Sequence, residues 1–256
     1  MQAYKRPPTQ GLVWVSRGFA LWKRNPGFFA YLTFGYFLTA MSVASLPFLG
    51  IAVALVLLPS LSLGVLNGAL LVQEKQGARP EVLFAGYKSN TRGLLGIGAA
   101  SLATNVLVLV IAAVLFDSNL LSAIMAPEPA STEPGLPAGF IEDVMLHHVL
   151  TLPLAMATFF APALAGWQGI SAPKAMFFSI VACWRNFLPF CSYSVAAFFI
   201  VVMAPMFVGT LVAAASPFIA QVAVVAAMLS ALSVLFASFL PITLDVFGHD
   251  LPGHEV

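Results

Sequence analysis

The chain has 256 residues, of which 60% are apolar and 8% charged, with a net charge of +1 and a mean hydropathy of +0.96. Soluble domains carry about 25% charged residues, so a water-soluble globule of this composition is excluded: it lacks the polar surface to cover its core. A helix needs roughly 20 apolar residues to cross the hydrocarbon core of a bilayer. In chain order, charge-free stretches at 26–46, 48–73, 93–116 and 144–166 predict four transmembrane helices. Residues 186–244 form one run of 59 without Asp, Glu, Lys or Arg, broken by the small-residue turn Ala213-Ala214-Ala215-Ser216-Pro217. That run predicts spans five and six. The fold class is therefore an all-α, polytopic membrane helix bundle of six spans. The first 25 or so residues are polar and amphipathic, and the apolar run after them is too long for a signal h-region, so no cleavable signal is expected.

The 11 cations agree with this count. Lys5, Arg6, Arg17, Lys23 and Arg24 precede span one. Lys75, Arg79, Lys88 and Arg92 lie between spans two and three, and Lys174 and Arg185 between spans four and five. Six spans place all of them on one face, which predicts a bacterial inner-membrane protein with both termini cytoplasmic. The opposite connection, 117–143, holds Asp117, Glu128, Glu133, Glu142, Asp143 and four prolines without a cation, and reads as a solvated linker. Cys183 and Cys191 both fall near the cytoplasmic face, where a structural disulfide is not expected.

A unit recurs three times, at about 9–73, 80–167 and 173–247, with a tail at 248–256. In each, the segment before the odd-numbered span ends in an aromatic beside a cation and an Asn: Trp22-Lys23-Arg24-Asn25, Tyr87-Lys88-Ser89-Asn90 and Trp184-Arg185-Asn186. Trp and Tyr favour the headgroup layer, and neighbouring Lys or Arg reach anionic phosphates. Upstream, Leu12, Val15, Phe19 and Trp22 share a helical face away from Arg17 and Arg24, while Pro80 and Pro173 suit a first helical turn. Amphipathic interfacial helices are predicted there. Each unit ends in a span with a proline toward its cytoplasmic end, Pro59, Pro162 or Pro241, expected to bend it.

With these features the chain resembles a family of uncharacterised bacterial six-span inner-membrane proteins. The resemblance rests on 18–26, Gly-Phe-Ala-Leu-Trp-Lys-Arg-Asn-Pro, and on the Leu-Leu-Pro-Ser-Leu-Ser-Leu-Gly of 57–64. In pattern it is also similar to the membrane domain of some glycerophosphodiester phosphodiesterases. No soluble phosphodiesterase domain is expected, so that activity is not inferred, and the resemblance carries no catalytic residue across.

Catalytic motifs are absent from the sequence, with no HExxH, GxSxG or glycine-rich phosphate loop, so no enzyme activity and no cofactor is expected. Spans without Asp, Glu, Lys or Arg argue against a proton-coupled carrier. His147 and His148 point about 100° apart on a helix and make a poor metal site even with Glu142 and Asp143. Asp245, Asp250, Glu255, His249 and His254 read as a floppy tail. Dispersed cations do not suit nucleic acid. Span two carries Ser60, Gly64 and Gly68 at four-residue spacing beside Asn67, a surface for close helix packing. Asn67 with Asn105 and Gln221 is a candidate packing or solute site. The main expectation is a non-catalytic membrane protein that engages anionic lipid, a membrane partner or a second copy through Arg17, Trp22, Lys23, Arg24, Tyr87, Lys88, Trp184 and Arg185. The alternative is a channel or permease for a neutral or lipophilic solute.

Overall fold

The structure is a computed structural model that describes residues 3–116 and 139–248, residue 215 excepted. Among these there is no strand. Helix α1 (Gln10–Trp22) precedes α2 (Pro26–Ala44) and α3 (Gly50–Gln73). A 3-10 helix (Pro80–Lys88) then precedes α4 (Thr91–Phe116) and a broken pair, α5 (Phe140–Phe159) and α6 (Ala161–Gln168). Finally α7 (Ala172–Arg185) precedes α8 (Phe187–Phe198), a π-helical turn (Phe199–Met203), α9 (Ala204–Ala213) and the 31-residue α10 (Pro217–Phe247). Six segments are long and apolar enough to span a membrane: α2, α3, α4, α5–α6, α8–α9 and α10.

The starts of these helices follow from local chemistry. Asn25 accepts a bond from the Phe28 N–H and caps α2, with Pro26 at its first position. Asn90 accepts from the Gly93 N–H at the start of α4. Span four begins at Phe140, four residues before the predicted 144, because Glu142 and Asp143 sit favourably in the first turn of a helix. Span six ends later than predicted. Asp245 lies in the last turn of α10 and is packed, not part of a tail; His249, Asp250, His254 and Glu255 lie outside the described residues.

The even-numbered spans form the inside. In spans two, four and six, 67%, 44% and 28% of the apolar window is buried, against 22%, 11% and 11% in spans one, three and five. Each short helix seats across the proline-containing span of another unit. The 3-10 helix packs mainly on α3, where Gly86 lies against the Ser60 carbonyl and Gly64 against that of Leu83. Ser60 and Gly64 are thus the bed of the 3-10 helix, while Gly68 lies first against Leu32 of span one. Helix α7 packs on α5, α6 and α4. Helix α1 closes the cycle by wedging between α8 and α10, with Gly11 against Pro189 and Gly18 against Ser238. The three units therefore form a ring. Where the second and third meet, Phe159, Phe160, Phe190, Phe239 and Phe247 pack edge to face with centroid distances of 4.8 to 6.0 Å.

The break in span four shows how the seating works. Phe160 N–H donates to Ser179 Oγ at 3.0 Å, and Ser179 Oγ donates to the Met156 carbonyl at 2.6 Å. The α7 hydroxyl is inserted into the i→i−4 ladder where Pro162 bends the helix.

Candidate functional site

The topology gathers all 11 cations and both described termini at one end of the bundle. The N-terminal strap, residues 3–9, crosses that end. Its Tyr4 N–H donates to the Val246 carbonyl at 2.8 Å. Buried Asn186 donates to the Tyr4 carbonyl at 3.0 Å and accepts the Arg6 N–H at 2.9 Å. Arg6 donates to the Asp245 carbonyl through Nε (3.1 Å) and Nη2 (2.6 Å).

Asp245, with a side chain only 10% exposed, is the hub. Its Oδ2 accepts from Gln10 Nε2 and Trp14 Nε1, both at 2.9 Å, with Arg6 Nε at 3.4 Å. Its Oδ1 lies 3.6 Å from Arg17 Nη1. Beside this knot is a cavity of about 360 Å³ lined by Arg6, Arg17, Arg24, Gln73 and Asp245 over Leu21, Pro241 and Leu244. A second, of about 510 Å³, joins Lys5 and Arg6 of the strap to Trp184 and Arg185.

Helix α1 divides polar from apolar. Arg17 and Arg24 line the first cavity, while Leu12, Val15, Phe19 and Trp22 face away into an apolar groove of about 580 Å³ between α8–α9 and α10. The groove opens beside the π-helical turn of span five. Pro205 lacks an N–H and sits just past the π-helical turn, while Ala204, Ala227 and Ala231 leave room between the helices. Val15 is buried, while Leu12 and Phe19 present their apolar surface outward.

The other predicted lipid-contact residues are placed as follows. Lys23 sits over the Phe19 ring at 4.7 Å, and Phe19 stacks on Trp22 at 5.7 Å. Arg24 Nη1 donates to the Gln73 carbonyl at 3.2 Å. Lys88 and Arg185 are exposed, and Trp184 is 73% exposed beside Phe187. Tyr87 turns inward, donating to the Leu57 carbonyl at 3.3 Å, and burial followed by Tyr36 pushes its hydroxyl above the ordinary phenol value.

Asn67, Asn105 and Gln221 do not converge. Asn67 accepts from Trp167 Nε1 at 2.8 Å, and Asn105 donates to its own helix at Ser101. Gly98 of α4 lies against Val56 of α3, so the antiparallel register sets Asn105 level with Leu49. That is 18 residues, or about 27 Å, from Asn67 along α3. Gln221 is exposed near the start of α10, at the end away from the cations. The rings of His147 and His148 are 6.2 Å apart and nearly perpendicular. Among the described residues no group of three His, Cys, Asp or Glu is placed to hold a metal ion.

A bundle of six apolar spans with one cationic end has a counterpart in sequence. Over 193 residues the chain is 32% identical to a protein of Burkholderia thailandensis named as a probable inner membrane protein, covering 73% of this chain and 71% of that one. The chain belongs to that protein's family. No protein-family model and no solved structure matches. It is thus a multi-pass, all-α protein of the bacterial inner membrane.

Sequence reading missed the residues that join the units within this family member: Arg6, Asn186, Ser179 and Asp245. Two signals were available. An Asn recurs just before each odd-numbered span, the position of a helix cap. Asp245 follows Pro241 at four-residue spacing, which keeps it on a face of the same helix.

Proposed function

We propose that this protein is non-catalytic and engages anionic lipid at the cytoplasmic leaflet, with both termini in the cytoplasm. The observation that carries the reading is the division of α1: Arg17, with Arg24 just beyond the helix, on the side of a polar cavity, Leu12, Phe19 and Trp22 on the side of an apolar groove. A helix so divided lies at a membrane interface, with its cations at phosphate depth. The inner leaflet is negative, so a cationic end favours it both for topology and for binding, at about 1 kcal/mol per cation near the surface. Exposed Lys23, Lys88, Trp184 and Arg185 extend the same face. A membrane partner or second copy would use that face too.

The channel or permease reading has less support. Its three amides are apart, and aromatic rings pack together where spans four and six meet.

Two measurements test the proposal. A fluorescent reporter that matures only in the cytoplasm, fused after Val256, is expected to fluoresce; a periplasm-dependent phosphatase active at that position would reverse the orientation. In nanodiscs of mixed phosphatidylcholine and phosphatidylglycerol, the extracted protein is expected to be enriched in phosphatidylglycerol. Replacing Lys23, Lys88 and Arg185 by Gln should lower that enrichment with the fold intact, and unchanged enrichment would sink the idea.

A further inference from the structure

We infer that the cavity bounded by α1 and the last turns of α3 and α10 is a binding site for a phosphate group, held by Arg17 and Arg24. The inference rests on the lipid reading above and deepens it, since a phospholipid headgroup is one source of that phosphate.

Charge and hydrogen-bond donors are both in excess in this cavity. Arg6, Arg17 and Arg24 line a space of about 360 Å³ in which Asp245 is the one carboxylate among the described residues. Three guanidinium ions against one carboxylate leave a local charge of about +2. Arg6 is committed, because its Nε and Nη2 hold the Asp245 carbonyl. Oδ2 of Asp245 is committed too, to Gln10 and Trp14. Arg17 is not: its Nη1 is 3.6 Å from Oδ1, within ion-pair range but too long for a hydrogen bond, and its side chain is 55% exposed. Arg24 spends one Nη1 contact on the Gln73 carbonyl and keeps the remainder of its fork.

A guanidinium presents five N–H donors in a planar fork that matches phosphate oxygens two at a time. Two such forks beside an apolar floor of Leu21, Pro241 and Leu244 suit a phosphate better than a second carboxylate, because phosphate offers more acceptor oxygens to share between them. The floor also lowers the local dielectric and strengthens the contacts. Two sources carry this chemistry: the phosphodiester of an anionic phospholipid in the adjoining leaflet, and phosphate free in water.

The test uses the full-length protein in detergent, in two arms. The first is native mass spectrometry after exchange with phosphatidylglycerol or phosphatidylcholine. The second is thermal unfolding in inorganic phosphate against chloride of equal ionic strength. One phosphatidylglycerol is expected to survive delipidation, with retention at least tenfold lower in Arg17→Gln/Arg24→Gln and unchanged in Arg92→Gln/Lys174→Gln, which removes two exposed cations outside the lipid-engaging set. Arg17→Lys/Arg24→Lys, which keeps charge and fold without the forks, is expected to fall between wild type and the Gln pair. If no lipid is retained but inorganic phosphate raises the unfolding temperature of wild type and not of Arg17→Gln/Arg24→Gln, the phosphate site stands with a soluble ligand and the lipid reading falls. If phosphatidylglycerol is retained equally by wild type and both arginine variants, the site is overturned while the lipid reading survives. Wild type that neither retains lipid nor responds to phosphate overturns both.

Discussion

At Phe160 the backbone N–H reaches Ser179 Oγ, and the same hydroxyl returns a bond to the Met156 carbonyl. Ser179 is fully buried, so its loss leaves a donor and an acceptor unpaired where water does not replace them. Ser179→Ala is expected to cost about 2 kcal/mol of unfolding free energy, measured by equilibrium unfolding in SDS. A change within a few tenths would mean that the break in span four heals without it. Cys183, one turn further along α7, has its thiol pushed up to about 12, first by burial, with a Ser179 hydrogen bond acting the other way. At pH 8 its thiolate is then about one part in ten thousand. A water-soluble maleimide should leave Cys183 unmodified in the folded protein and label it on unfolding. Because the folded value lies above the ordinary thiol value of 9.0, this residue's contribution to stability is complete below pH 9 and lost as pH rises toward about 12. Labelling at the rate of a free thiol at pH 8 would show the helix is not seated as described.

Among elements, the short helices set the architecture because they lie across the proline-containing spans. The 3-10 helix seats only because Gly86 has no Cβ: one added there would strike the Ser60 carbonyl, which is backbone and cannot turn aside. Gly86→Val should therefore cost about 2 to 3 kcal/mol by overpacking. Gly77→Val, in the preceding connection with nothing within 4 Å, should be neutral. Equal unfolding midpoints for the two variants would refute the seating. The sequence announced a helix at 80–88 through Pro80 and its aromatic–cation ending. It did not announce a 3-10 helix, because that choice follows from the surface of α3 on which the segment rests. The small-residue stripe on span two was likewise visible, but its partner was not. Any helix or backbone able to approach closely would satisfy Gly64.

For the whole molecule, the order of packing is cyclic although the chain is linear. Helix α1 belongs by sequence to the first pair of spans and by contact to the last, and the Tyr4–Val246 bond places residues 3 and 248 close together. A circular permutant that joins those ends through a short linker and opens the chain at Gly77 should insert and fold, since the new ends fall in an exposed connection at the same charged end. Its unfolding midpoint should match that of the parent. Failure to accumulate in the membrane, with the linker varied in length, would mean that the order of insertion outweighs the ring.

Span number and the segregation of charge were fixed by composition and spacing alone, because transfer of apolar side chains into lipid is a local property that sums along a segment. The repeated aromatic–cation–Asn ending was equally plain, and two of its asparagines, Asn25 and Asn90, act as caps within a few residues. What only the tertiary structure decided are the contacts between units: Asn186 with the strap, Ser179 within span four, and Asp245 with Gln10, Trp14 and two arginines. A lone Asp at the end of an apolar run reads as solvated until a partner arrives. The partners here stand 228 to 239 positions away in the chain, brought there by closure of the ring.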